Sequence, residues 1–249
     1  MRRSEQPKIF ESDAWVKRTG TLLAMRVTSQ SELAVEVDVT GFAFVPSHLR
    51  GQTSYDAISS LGTVEKLSGI NEIQELIPRN PSDSPPNIYS GNFGYSDFPF
   101  HTDLAHWFLP PHYFVLRCLE GASDVRTRLI DSAAIVQSLG EDSLRRALVK
   151  PRRPIEMSRP LLHILERCSV DKLRFRWDSL FIEPSTEHST RVCSAIEEHL
   201  DTIKTIDFVL EQPGDTLVVD NWRILHGRSA VPTAQRNRRI HRAYLSILK

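Results

Sequence analysis

Short apolar runs, rich in β-branched side chains and cut by polar turns, constrain this chain more than any other feature of its sequence. Thr21 to Val27, Gly41 to Val45, His112 to Leu119 and Arg126 to Ile130 are runs of this kind, the lengths of strands rather than helices. In Leu33 to Val39, four apolar residues (Leu33, Val35, Val37, Val39) alternate with Ala34, Glu36 and Asp38, and this period of two predicts a half-buried strand. Leu173, Phe175 and Trp177 alternate with Arg174, Arg176 and Asp178 in the same way. The end of the chain reads as three strands, Asp207 to Glu211, Thr216 to Asp220 and Arg239 to Leu248. Gln212-Pro213-Gly214-Asp215 makes a tight turn between the first two.

Helical spacing is confined to three places. It covers part of residues 54–77, including Val64 to Ile77, where Gly69 interrupts it. It returns in Asp142 to Val149, and in Thr190 to Ile203, where Val192, Ile196, Leu200 and Ile203 form one stripe. Many short strands with few helices predict a mainly β fold, a sandwich or barrel with helices packed outside. The pattern is not one of alternating βαβ units. No GxGxxG or phosphate-binding loop supports a dinucleotide or nucleoside-triphosphate fold.

At 249 residues and 28.4 kDa the chain can build one large core or two small ones, and the reading is a single domain over residues 1–249. Lys and Arg total 31, as do Asp and Glu, so no net field favours a polynucleotide backbone, and no nucleic-acid partner is expected. Basic clusters at Lys150 to Arg153 and Arg236 to Arg242 are local. No apolar run approaches the roughly 20 residues that cross a bilayer, so no membrane partner is expected. The start, MRRSEQPKIFESD, has two arginines but no apolar stretch behind them, so no secretory signal is expected. Cys118, Cys168 and Cys193 are odd in number and widely spaced, which fits a reducing compartment; the expected location is cytoplasmic.

Pro78 to Pro99 is a long polar segment without regular period, and such a loop in a compact domain usually serves as a lid or binding loop. It runs into FHTDL, in which His101 and Asp103 stand two residues apart. In extended backbone, positions i and i+2 point to one side, so both side chains can reach one ion. A second histidine, His226, follows an apolar strand in DNWRILHGR. Two imidazoles and a carboxylate on one face of an octahedron leave three positions open, the donor set of non-haem Fe(II). Twelve residues beyond His226 lies Arg238, and four further on lies Arg242. In a strand, Arg238, Ile240, Arg242 and Tyr244 share a face, and a fixed guanidinium beside an iron site can clamp a dicarboxylate. Arg239 and His241 point the other way and read as structural. His106 and His112 would give a zinc set with His101, but Pro110-Pro111 breaks any helix there and no HExxH pattern exists. Trp107 and Phe108 suit either packing or a site mouth, and Trp222 reads as packing near His226.

Taken in order, FHTDL, GASDVRTRLIDS, PGDTLVVDNWRILHGR and RRIHRAYL resemble the taurine dioxygenase-like and γ-butyrobetaine hydroxylase-like iron(II)/2-oxoglutarate-dependent oxygenases. The resemblance is strongest over residues 90–248. It implies a double-stranded β-helix (jelly roll), with Fe(II) on His101, Asp103 and His226. Arg238 would hold the distal carboxylate of 2-oxoglutarate, and Thr127 would bond the same cosubstrate. Arg242 matches a position that in some members binds an acidic group of the substrate, and Asn92, Tyr95 and Asp97 precede the HxD motif where members often contact substrate.

The implied reaction consumes O2 and 2-oxoglutarate, releases succinate and CO2, and hydroxylates a C–H bond of a small metabolite, carboxylate-bearing or amino-acid-like. Because Asp103 fills the position that halogenating members leave small, hydroxylation is expected over halogenation. Desaturation, epoxidation or cyclisation would use the same ligands, and the contrasting reading is a jelly-roll binding protein without turnover. Substrate choice is expected in Pro78 to Pro99 and Arg152 to Leu162, and an oligomer is compatible with the sequence.

Overall fold

The computed structural model describes residues 30–85, 88–155, 158–170 and 172–249. The strand expected at Thr21 to Val27 lies outside them. The described chain opens with a helix, α1 (Gln30–Thr40), where a strand was expected. Leu33 and Val37 stand one turn apart and are 1% exposed, while Val35 and Val39 are 63% and 67% exposed. A period of two contains i and i+4, so the same apolar residues serve a helix whose inner face needs only two of them. The helix stops at Gly41, whose φ of +86° and close approach to Ile224 exclude a side chain.

Next come β1 (Phe42–Val45), α2 (Ser54–Leu61), β2 (Gly62–Val64) and β3 (Gln74–Leu76). The helix α2 is capped by Thr53, whose hydroxyl accepts from Asp56 N at 3.1 Å. Helical spacing expected over Val64 to Ile77 is not realised; the segment turns at Gly69 and pairs β3 with the last strand. Pro78 to Pro99 includes a short helix, α3 (Tyr89–Phe93), and leads into β4 (Phe98–His101).

The middle of the chain forms β5 (Tyr113–Glu120), β6 (Arg126–Asp131), α4 (Ser132–Leu139), α5 (Glu141–Arg146) and β7 (Leu148–Pro151). Helix α5 ends before Leu148 and Val149, which join β7 instead of extending the helix. Then follow β8 (Leu162–His163), β9 (Leu165–Arg167), β10 (Leu173–Phe175), β11 (Ile182–Pro184) and α6 (Glu187–Leu200), whose expected stripe of Val192, Ile196, Leu200 and Ile203 packs on the core. The end holds four strands rather than three: β12 (Ile206–Val209), β13 (Thr216–Asp220), β14 (Ile224–Arg228) and β15 (Arg239–Leu248). His226 is inside the additional strand, β14.

The strands assemble into two main antiparallel sheets. The larger runs β1-β13-β5-β15-β2, with β3 also on β15; the smaller runs β12-β6-β14-β4. Alternation along β5 and β13 sorts their residues between two cores. Phe114, Leu116, Leu217 and Val219 face inward and meet Leu129, Phe208 and Ile224 of the smaller sheet. Val115 and Val218 face outward and are covered by Leu33, Val37, Ile58 and Leu61 of α1 and α2. A third cluster, with Ile130 and Leu225, packs α4, α5 and α6 on the back of the smaller sheet. Each fully buried Leu, Ile, Val or Phe contributes about 1.5–3 kcal/mol. The two sheets, with helices outside, form a double-stranded β-helix, as expected. No helix among the described residues is long and apolar enough to cross a membrane.

Candidate metal and cosubstrate site

Strand pairing brings the histidines together, because His226 of β14 is the direct partner of His101 at the end of β4. Their rings stand 4.3 Å apart. Close approach is possible because the next residue is Gly227, where a Cβ would come within 2.8 Å of the Phe98 carbonyl oxygen. His101 Nδ1 bonds the Pro99 carbonyl oxygen at 2.9 Å, which leaves Nε2 free to face inward. Tyr89 stacks on the outer face of His101, with 4.1 Å between centroids.

Asp103 follows β4 in a tight turn in which Leu104 takes a left-handed φ of +55°. A non-glycine residue there costs about 1–3 kcal/mol and needs support from its surroundings. Asn221 gives that support. Its Oδ1 accepts from Asp103 N at 2.7 Å, and its Nδ2 donates to the Asp103 and Pro111 carbonyls at 3.0 and 2.9 Å. The buried Arg176 guanidinium donates to the carbonyls of Ala105 and Trp107 just beyond.

The result is a convergent donor set. His101 Nε2 and His226 Nε2 each lie 3.7 Å from Asp103 Oδ1, too far for hydrogen bonds, and one ligand atom from each residue lies within 4.8 Å of the others. All three side chains are buried, and His226 Nδ1 has no hydrogen-bond partner among the described residues. Two imidazoles and a carboxylate at this spacing fit an ion with mixed nitrogen and oxygen ligands. Burial alone would raise the Asp103 pKa, but the Arg242 guanidinium and the His101 imidazole hold it well below the carboxylate range. Burial and the neighbouring His101 push His226 down to about 3, so it is neutral, as a metal ligand must be.

A cavity of about 950 Å³ opens over the triad. Arg238, Ile240, Arg242 and Tyr244 all line it, as their shared strand face predicted, and so do Thr127 and Asn92. Arg238 is buried, its Nε is unpartnered, and no carboxylate among the described residues forms an ion pair with it. Burial lowers its pKa to about 10, so it stays cationic at neutral pH. Arg239 is outside the cavity on Glu75, at 2.9 Å from Nε, and His241 bonds Ser54 at 2.8 Å; both are structural, as expected. Pro78, Arg79, Ile88, Arg152, Arg153 and Ile155 form the rim, so both loops expected to govern substrate choice reach the cavity.

Some expected residues are elsewhere. Tyr95 does not line the cavity; it packs on Ala122, Val125 and Val231 with the Arg236 guanidinium 3.7 Å from its ring centroid. Asp97 is drawn outward into an exposed ion pair with Arg128 at 2.9 Å. Arg242, expected to await a substrate anion, donates instead to Asp103. The zinc set is not assembled, since His112 stacks on Trp222 and lies 3.6 Å from Asp220. Phe108 is exposed and Trp107 stands outside the cavity. His106 does line it, lowered to about 4 by burial and Arg176.

Sequence reasoning missed Tyr89, Asn221, Gln74 and Asp178. Asp178 is a buried carboxylate on the cavity wall whose Oδ1 accepts from Leu180 N and Phe181 N at 2.8 and 3.0 Å. Only Asn221 had an available signal, its place in the DNW turn five residues before His226.

Residues 169–244 match the sequence profile described as "Taurine catabolism dioxygenase TauD, TfdA family". No curated protein sequence matches the chain. Among solved structures, it resembles asparagine oxygenase in complex with Fe(II), 2S,3S-3-hydroxyasparagine and succinate, with 17% identity over 87% of this chain and 77% of that one and a TM-score of 0.64. The non-heme iron oxygenase OrfP in complex with Fe, succinate and (3S)-hydroxy-L-Arg has 18% identity over 88% and 79% of the two chains, with a TM-score of 0.64. PvcB from Pseudomonas aeruginosa gives 17%, 92%, 83% and 0.64. The resemblance first read from four short motifs is therefore borne out twice, by the TauD/TfdA family match over residues 169–244 and by a fold shared with iron-dependent oxygenases.

Proposed function

We propose that this chain is an Fe(II)/2-oxoglutarate-dependent oxygenase, working as a single domain, that hydroxylates a small amino-acid-like molecule. One observation carries the reading: a buried guanidinium, Arg238, faces the cavity over a three-residue candidate metal set and forms no ion pair with a carboxylate among the described residues. An unpaired buried cation is costly to a fold, by several kcal/mol, and a dicarboxylate ligand would relieve that cost.

Iron with 2-oxoglutarate and O2 supplies the oxidising chemistry, in which cosubstrate, O2 and R–H become succinate, CO2 and R–OH. The chain's own residues bind, orient and shield. His101, Asp103 and His226 would hold the ion; Arg238 would fix the distal carboxylate through charge-assisted bonds, with Thr127 beside it. Leu116, Ile240 and Phe181 on the cavity wall keep water from the reacting carbon. The rim loops and Asn92 would orient the substrate, and holding it in a reactive geometry removes part of the entropic cost of the reaction. Asp103 occupies the carboxylate position, which favours hydroxylation over halogenation. The asparagine and arginine derivatives bound by the structural neighbours support an amino-acid-like substrate class.

The test is succinate release from 2-oxoglutarate under air with Fe(II) and ascorbate, against a panel of free amino acids. The expected result is release that one class of amino acid accelerates, with one oxygen atom added to it. Release no greater than that of His226→Ala would contradict the assignment.

A further inference from the structure

Arg242 occupies the strand face on which a substrate anion was expected to bind, yet its guanidinium is already committed. Nη1 donates to both carboxylate oxygens of Asp103, each at 2.9 Å, and Nη2 donates to Gln74 Oε1 at 2.8 Å. The pairing of β3 with β15 sets Gln74 directly opposite Arg242, which holds the guanidinium in this pose. Two residues on, the buried Tyr244 hydroxyl donates to Asp103 Oδ2 at 3.1 Å. Oδ1, in contrast, is the oxygen that faces both imidazoles, at 3.7 Å from each Nε2. Arg242 thus spans both oxygens and fixes the carboxylate, while the Tyr244 hydroxyl bonds Oδ2 alone and leaves Oδ1 as the oxygen turned to the imidazoles.

We propose that Arg242 and Tyr244 are positioning residues for Asp103, Arg242 fixing the carboxylate and Tyr244 reserving Oδ2, so that Asp103 offers Oδ1 alone to the metal, and that Arg242 is not the anchor of a substrate anion. The proposal rests on the proposed function only in taking the triad as the iron site. Offering one oxygen has a chemical consequence. A carboxylate donating both oxygens, with two imidazoles, would occupy four of six positions. 2-Oxoglutarate would fill the remaining two and leave none for O2, whereas one donating oxygen leaves three positions open. Hydrogen-bond partners of metal ligands typically change metal affinity by about 10–100-fold when removed.

The experiment uses Arg242→Lys and Tyr244→Phe, which keep the local charge, so that any effect reports geometry rather than repulsion of the ion. Fe(II) affinity of the metal-free proteins is measured anaerobically by titration calorimetry without cosubstrate or substrate, and melting of the metal-free proteins checks the fold. The expected result is affinity weakened about tenfold in each variant, with melting temperatures within a few degrees of wild type. A residue that served only a substrate would leave Fe(II) binding untouched. Arg242→Lys binding Fe(II) within about twofold of wild type therefore overturns the assignment of Arg242, and the same result for Tyr244→Phe overturns that of Tyr244. Should Arg242→Lys fail to fold, Tyr244→Phe decides alone. Wild type that binds Fe(II) but not 2-oxoglutarate would sink the oxygenase reading and leave this one standing.

Discussion

Arg238 and His101 show how much a single side chain can commit the molecule. If Arg238 holds the cosubstrate carboxylate as proposed, Arg238→Ala removes those charge-assisted bonds, about 3 kcal/mol. The 2-oxoglutarate concentration needed for half-saturation should rise about 100-fold, with Fe(II) affinity little changed, as read by anaerobic titration. His101 gives a pH dependence. Burial alone would lower its pKa, but the carboxylates of Asp103 and Asp178 raise it above 6.5. In the metal-free protein its protonation therefore adds stability that is fully present below 6.5 and is lost as pH rises through the raised value. Iron must displace that proton, so Fe(II) affinity should increase with pH over the same window. His226, already neutral, adds nothing there. Calorimetry in two buffers of different protonation enthalpy should show a proton released near pH 6.5; heats independent of buffer would contradict the account. The candidate residues that converge on the cavity were legible because His101-x-Asp103 and the Arg238 to Tyr244 alternation are local patterns. Asp178 and Tyr89 were not, since what makes them notable is burial against the site, which no local spacing encodes.

Elements place those side chains, and here the sequence was less transparent. Leu33 to Val39 has the alternation of a strand but forms a helix, because long-range packing selects Leu33 and Val37 and leaves Val35 and Val39 in solvent. Leu33→Ala should cost about 2–5 kcal/mol by opening a cavity under α1, visible as a lowered denaturation midpoint with the metal site spectroscopically intact. His226 was read as following a strand, whereas β14 continues through it, and the missing cue was Gly227, which permits close pairing with β4. At Gly227 a Cβ would meet the Phe98 carbonyl at 2.8 Å, so Gly227→Ala must push β4 away and separate His101 from His226. The expected outcome is Fe(II) binding weakened tenfold or more with secondary structure retained by circular dichroism. Unaltered Fe(II) binding would show that β4 can yield without moving His101.

For the whole molecule, the mainly β class and the jelly roll were legible from strand lengths and from the resemblance, because both depend on the count and order of elements rather than on their boundaries. The balanced charge of 31 basic and 31 acidic residues leaves recognition to the cavity rather than to a long-range field. Ligands that bind only the folded state stabilise it, by about 2.7 kcal/mol at a hundredfold excess over Kd, which for a chain of this size shifts melting by roughly 5–10 °C. Fe(II) and 2-oxoglutarate should give successive increments, with Arg238→Ala retaining the first and losing the second. The most direct test is an anaerobic titration of the metal-free protein with Fe(II) and then 2-oxoglutarate, following the weak visible charge-transfer band of a chelated 2-oxo acid. The account predicts a band that His226→Ala abolishes and that Arg238→Ala displays only at far higher 2-oxoglutarate. Iron bound by the wild type with no band at any 2-oxoglutarate concentration would contradict it.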